Sequence, residues 1–200
     1  MSEVSLRERS KERRRRAIQM AGMRLFAERG FDQTTVADVA AEAEVAPRTV
    51  SLYFTSKRSL ALSSSDLSAE RLTQALQRAT PGASVVDTVV SWLRAEAEGA
   101  DEEEWHLRAA MLQANPLLAA AGTEATESLA RTTGTALAAE FGVPQEHPAI
   151  PVTVGGMAGV MTQYALLPSP RQDSGLALAS VRHALTGLVE GVRSGLVSGS

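Results

Sequence analysis

The sequence contains no cysteine in its 200 residues. That removes disulfide frameworks, thiolate zinc sites and thiol nucleophiles from consideration. Histidine is nearly absent too: His106, His147 and His183 are scattered without metal-ligand spacing. No Ser/His/Asp arrangement emerges, so neither catalysis nor a cofactor is expected. Strand-like alternation is missing, as is any internal repeat. The basic N-terminus lacks the apolar core of a secretory signal, and with the missing cysteines this leads to the expectation of a cytoplasmic protein. One run without charge, Pro148 to Pro170, is long enough to cross a bilayer. Pro151, Gly155, Gly156, Gly159, Gln163 and Tyr164 lie within it, however, so a buried helix is expected and no membrane partner. The glycines there are no dinucleotide fingerprint, because no strand precedes them.

What is present has a globular balance, with 44% hydrophobic and 22% charged residues. The formal charge of −3 divides unevenly along the chain: residues 1–60 carry a net +4 and residues 61–200 a net −7. A basic head on an acidic body suggests that the head meets a polyanion, although a solvated charge run would look the same.

Residues 1–12 read as a mobile basic arm. From Arg13 to Arg29, Ile18, Ala21, Leu25 and Phe26 recur at helical spacing, and Gly30 supplies a left-handed stop. Thr35 and Asp38 form a capping-box-like start for a second helix reaching about Ala43. Glu44-Val45-Ala46 makes a tight turn. Pro47 then opens a brief third helix to about Phe54, with Ala46 a poor N-cap. Phe26, Phe31, Val39, Val45, Val50 and Phe54 are the expected core of this head. Ser56 caps a fourth helix near Lys57. Beyond it the chain reads as all-helical, with breaks at Pro81-Gly82, Gly99-Ala100, Asn115-Pro116, Gly142-Val143-Pro144 and Pro168–Pro170. An all-α fold of about nine helices is expected, with an arm over 1–12, a head over 13–58 and a body over 59–200.

Two short helices joined by a three-residue turn describe a helix-turn-helix, whose second helix fits the major groove of DNA. Arg48 is suited to guanine, Thr49 to a polar edge or thymine methyl, and Ser51 to a base or phosphate. Thr35, Tyr53 and Lys57 are better matched to phosphates. Arg13–Arg16 suit plain phosphate attraction, an arm in the minor groove, or neither.

The stretch from Ala17 to Leu60 resembles the DNA-binding domain of the TetR family of bacterial regulators. The resemblance rests on Leu25-Phe26 with Gly30-Phe31, Thr34-Thr35-Val36, Val39-Ala40, Val45, Thr49, Tyr53-Phe54 and Ser56-Lys57. It implies an all-helical homodimer with three operator-binding helices and a larger domain that binds a small molecule and dimerises. Carried over by position, Pro47, Arg48, Thr49 and Ser51 face the groove, while Thr35, Tyr53 and Lys57 face phosphates. Many relatives have an aromatic residue where this chain has Ser51. The resemblance also places the last two helices, about 144–167 and 173–197, in a dimer interface, with Gly155, Gly159, Leu178, Val181, Leu185 and Leu188 among its residues and Leu176 and Val192 on the same apolar faces; packing within one subunit is the other reading, and the two are not exclusive.

Trp92, Trp105, His106, Met111, Met157, Met161, Gln163 and Tyr164 are candidates to line a cavity for a largely apolar effector, or else are ordinary core. Asp101-Glu102-Glu103-Glu104 reads as a solvated helix start. The expected function is a repressor that binds a pseudo-palindromic DNA operator as a dimer and is released by its ligand. An activator would carry the same motifs. A small helical enzyme or carrier, and a protein scaffold, are the rivals from other classes.

Overall fold

Arginine, glutamate, lysine and leucine are strong helix formers, and no glycine or proline interrupts them before Gly22. In the computed structural model, which describes residues 6–80, 82–120, 122–167 and 174–198, the first helix accordingly begins at Leu6. This α1 (Leu6–Arg29) absorbs residues 6–12 of the expected arm, and residues 1–5 lie outside the described residues. The further elements are α2 (Val36–Glu42), α3 (Pro47–Tyr53), α4 (Lys57–Arg78), α5 (Val85–Gly99), α6 (Glu102–Ala114), α7 (Pro116–Ala119), α8 (Glu124–Phe141), α9 (Ala149–Ala165) and α10 (Ser174–Ser198). No strand occurs among the described residues.

Among the described residues the fold is all-α, as expected, with ten helices where about nine were read. The extra one comes from a break that no proline marks. Thr123 caps α8 by accepting from the Thr126 amide while the Thr126 hydroxyl accepts from the Thr123 amide. A threonine in place of the usual Glu or Gln hides this capping box from a sequence scan. The break expected at Pro168–Pro170 lies outside the described residues.

The chain forms two units: Met1–Ser65 with His106–Ala121, and Asp66–Trp105 with Gly122–Ser200. In the first unit, Ile18, Leu25 and Phe26 of α1 are buried with Val39 and Ala40 of α2, Val50 of α3, Phe54, and Leu60 of α4. Phe31 and Val45, expected in this core, are only half-buried. Gly22 is buried, and a Cβ there would meet Leu60 at 3.1 Å, tight enough to require the neighbour to give.

Asn115 belongs to this unit, although a body beginning at residue 59 had been expected to contain it. Its side-chain amide donates to the Phe26 carbonyl at 2.9 Å and the Met111 carbonyl at 2.8 Å, and its oxygen accepts from the Phe31 amide at 2.7 Å. Asn115 thereby satisfies a carbonyl in the last turns of α1 and the amide just past Gly30, whose φ is +85°.

The second unit is built on Val85, Val86, Val89, Val90 and Leu93 of α5, packed with Leu137 of α8, Ile150 and Met157 of α9, and Leu178, Val181, Leu185 and Val189 of α10. Gly156 lets α9 approach α10 closely, since a Cβ there would lie 2.7 Å from a Leu188 methyl. Glu140 of α8 accepts from the Val85 amide at 2.9 Å and pairs with Arg193 of α10 at 2.7 Å. Among the described residues no helix is long and apolar enough to cross a membrane.

Asn115→Ala leaves the Phe26 carbonyl and Phe31 amide without this partner. The expected cost is about 1–3 kcal/mol, read as a lowered midpoint in denaturant unfolding of the whole chain; an unchanged midpoint would show that the clamp contributes nothing.

Candidate nucleic-acid interface

The turn between α2 and α3 sets the angle at which α3 is offered. The Glu44 amide donates to the Ala41 carbonyl at 3.1 Å and the Val45 amide to the Ala40 carbonyl at 2.9 Å. This paired closure of the last turn requires a left-handed residue at its bend, and Glu44 takes that conformation with φ +53°. Ala46 makes no side-chain cap, and Pro47 restarts the chain as α3.

On α3 the burial is one-sided. Val50 is 2% exposed, whereas Leu52 is 77% exposed. Arg48 and Leu52 stand two residues to either side of Val50, and at about 3.6 residues per turn both point away from the core. Pro47 and Ser51 are exposed beside them, and Thr49 and Tyr53 are half-buried. The outward face thus combines a guanidinium, a hydroxyl and an isobutyl group, able to donate to base acceptors and cover a thymine methyl. Leu52 was given no role in the sequence, where polar groups were sought on this helix. Its position opposite Val50 was the available signal.

Two expected phosphate contacts are engaged within the protein. The Thr35 hydroxyl and amide both donate to the Asp38 carboxylate, at 2.7 and 2.8 Å, and the hydroxyl accepts from the Asp38 amide at 3.1 Å. The hydroxyl and then the amide of Thr35 hold the Asp38 carboxyl below its ordinary pKa. The folded-state value is depressed, so this contribution to stability is present at neutral pH and lost as pH falls through and below the usual carboxylate range. A carboxylate already at the start of α2 makes Thr35 a poor phosphate site. Lys57 is likewise turned inward. Its ammonium donates to the carbonyls of Phe31 at 2.7 Å and Thr34 at 3.0 Å, and stands 4.3 Å from the centre of the Phe31 ring.

The body candidates separate into two groups. Trp105, Met157 and Tyr164 are buried in the core of the second unit, with Trp92 and Met161 packed against it. The Trp105 indole N–H donates to the Leu167 carbonyl at 2.7 Å, and its ring meets Tyr164 edge-on at 5.7 Å. The Trp92 Nε1 is buried without a hydrogen-bond partner. Met111 is fully buried in the first unit, and His106 and Gln163 are exposed. Of the expected interface residues, Leu178, Val181 and Leu185 lie in the core of their own unit, with Leu185 0% exposed, and Leu188 packs on Gly156. Their helical period was read correctly, but the face they form points inward. Gly155 and Gly159 are exposed, with open space where a Cβ would stand.

Residues 18–63 match the family described as bacterial regulatory proteins, tetR family. No curated protein matches the chain in sequence. Among solved structures, Salmonella enterica GusR is 20% identical, with 94% of this chain and 100% of its own covered and a TM-score of 0.58. NalD, the secondary repressor of the MexAB-OprM multidrug efflux pump in Pseudomonas aeruginosa, is 18% identical over 92% of this chain and 97% of its own, with a TM-score of 0.58. Thermus thermophilus FadR, a TetR-family transcriptional repressor in complex with lauroyl-CoA, is 23% identical over 88% of this chain and 94% of its own, with a TM-score of 0.52. At such identities these likenesses concern the fold.

Lys57→Met keeps most of the apolar stem and removes the charged donor from two carbonyls. A loss of about 1–3 kcal/mol is expected, measured by thermal unfolding without DNA; a variant as stable as wild type would return Lys57 to the solvent-facing role.

Proposed function

Because the chain belongs, by its head, to the tetR family of bacterial regulatory proteins, we propose that it is a ligand-responsive repressor binding a pseudo-palindromic operator as a homodimer. The observation that carries this reading is the outward face of α3, where Arg48, Ser51 and Leu52 stand exposed on a short helix anchored by Val50. Such a helix enters the major groove, and two heads in a symmetric dimer address half-sites one helical turn apart or multiples of it. Arg48 donates to guanine, and Leu52 joins Thr49 in apolar contact with thymine methyls. Tyr53 meets the backbone. We place the head at residues 13–58 and the effector and dimer functions in the body.

Dimerisation is supported by a surface without charge. The α9 helix carries no charged residue, and its exposed positions are Pro151, Val152, Gly155, Ala158, Gly159, Thr162 and Gln163. The neighbouring face of α10 exposes Leu176, Ser180, Ala184, Gly187 and Gly191. Of the charged residues of α10, Arg182 and Arg193 are paired with Asp87 and Glu140, and Glu190 is exposed at the border of this face. A two-fold contact of α9 and α10 with their copies covers this face.

For the effector, the cluster of Trp92, Trp105, Met157, Met161 and Tyr164 offers apolar walls, and the Trp92 Nε1 offers a donor to a polar group. The lauroyl-CoA complex of FadR, which shares this fold, supports an effector with a long apolar part. The ligand releases DNA to the extent that it favours a head spacing the operator does not accept.

Selection from a random duplex pool tests the reading. Wild type is expected to enrich a two-fold symmetric sequence, and Arg48→Ala to weaken binding by about 1–3 kcal/mol with relaxed preference at one base per half-site. Equal losses on enriched and random duplexes would remove Arg48 as a base reader. Gly159→Arg adds a charge where the single chain has room for it, so sedimentation is expected to find monomers with reduced operator affinity; an intact dimer would place the interface elsewhere.

A further inference from the structure

We propose that the start of α1, residues 6–16, forms a second contact with duplex DNA, sequence-independent and made to the phosphates flanking the half-site that α3 reads. This rests on the duplex-reading function proposed above.

The segment carries seven basic and two acidic residues, a net of +5, within a chain whose total is −3. Arg7, Arg9, Lys11, Arg13 and Arg14 are exposed and make no ion pair among the described residues. The first buried residue of α1 is Ile18, and of the turns before it only Ser10 and Arg15 are even half-buried. A helix that is polar all round has no packed face to stabilise it. Here its helicity rests on strong helix formers and on the favourable Glu12-to-Arg16 spacing. Such a surface, dense in one sign of charge, is complementary to a polyanion.

The geometry places it beside the reading helix. Arg15 is the only half-buried member among Arg13–Arg16, and its guanidinium lies 5.2 Å from the centre of the Phe54 ring, immediately after α3 ends at Tyr53. That stacking roots the basic turns at the C-terminal end of α3, within one unit of the molecule. The eleven residues span roughly 16 Å, along which a duplex presents on the order of nine phosphate charges. The cations therefore find partners on the same duplex without competing for the bases under Arg48. Because they are distributed around the whole helix rather than arrayed on one edge, they fit counterion release along a backbone better than reading of a groove.

The test is the salt dependence of binding for wild type and for a variant with Arg7→Gln, Arg9→Gln, Lys11→Gln, Arg13→Gln and Arg14→Gln. Each would be measured on the enriched operator and on a random duplex of equal length. The expected result is a shallower log K against log salt on both duplexes, by about 0.9 for each phosphate no longer neutralised, or about two to four in all. The ratio of specific to random affinity should change little. A parallel variant with lysine for the four arginines should keep the wild-type slope, and its failure to do so would overturn a contact made by charge alone. Far-UV circular dichroism and the unfolding midpoint should match wild type, since the altered residues are exposed. An unchanged slope in the glutamine variant, with operator binding intact, would overturn the extension alone and leave the reading by α3 standing. No duplex binding by wild type would overturn both. Failure of the glutamine variant to bind phosphatidylserine vesicles that wild type binds, with duplex slopes equal, would overturn the DNA contact in favour of an anionic membrane surface.

Discussion

The first unit depends on how the chain turns after α1. Between Phe26 and Thr34 it exposes backbone groups that no helix can satisfy, and two distant side chains, together with Thr34 of the turn itself, close on them. Asn115 takes the Phe26 carbonyl and the Phe31 amide. Lys57 takes the carbonyls of Phe31 and Thr34. Thr34, fully buried, donates its hydroxyl to the Gly30 carbonyl at 2.9 Å. Groups left unpaired here would each carry a desolvation penalty, so the turn has one favourable arrangement. That arrangement fixes where α2 starts, and the left-handed bend at Glu44 then fixes α3.

A helix of seven residues such as α3 could not hold itself in register by intrinsic propensity. Its position comes from Val50 and Phe54 entering the core laid down by α1 and α2, and from the polar turn that sets those two helices. The function proposed for Arg48 and Leu52 therefore lies at the end of a chain of constraints whose members are engaged within the protein. Asn115 extends that chain to residues 106–121, which the order of the sequence would assign to the body. Lys57 and Thr35, candidates for phosphate by their type and position, serve the scaffold instead. The exposed cations of early α1 remain available for the backbone.

The head was legible because its signals are local. Gly30, the Thr35–Asp38 box, the Ala46-Pro47 restart and the period of Ile18, Leu25 and Phe26 each act within a few residues. The all-helical body was legible for the same reason, from its Ala- and Leu-rich segments and their proline and glycine breaks. What could not be read is set by contacts across the fold. Nothing near Asn115 announces that it clamps Phe26 of α1, 89 residues earlier. The period of Leu178, Val181 and Leu185 correctly marks an apolar stripe, yet a stripe does not say whether its partner is the same subunit or another. The cap at Thr123 escaped because its third-position partner is Thr126. Leu52 escaped because its side chain carries no polar group that would mark it for a base or a phosphate.

The role proposed for α3 on this scaffold is sequence-specific reading of duplex DNA. Its most direct test is the ratio of wild-type affinities for the enriched operator and for a scrambled duplex of the same length and composition, at one physiological salt concentration. A ratio of roughly 10³ or more is predicted, as expected of specific readers. A ratio near one, with binding that salt abolishes equally on both duplexes, would contradict it.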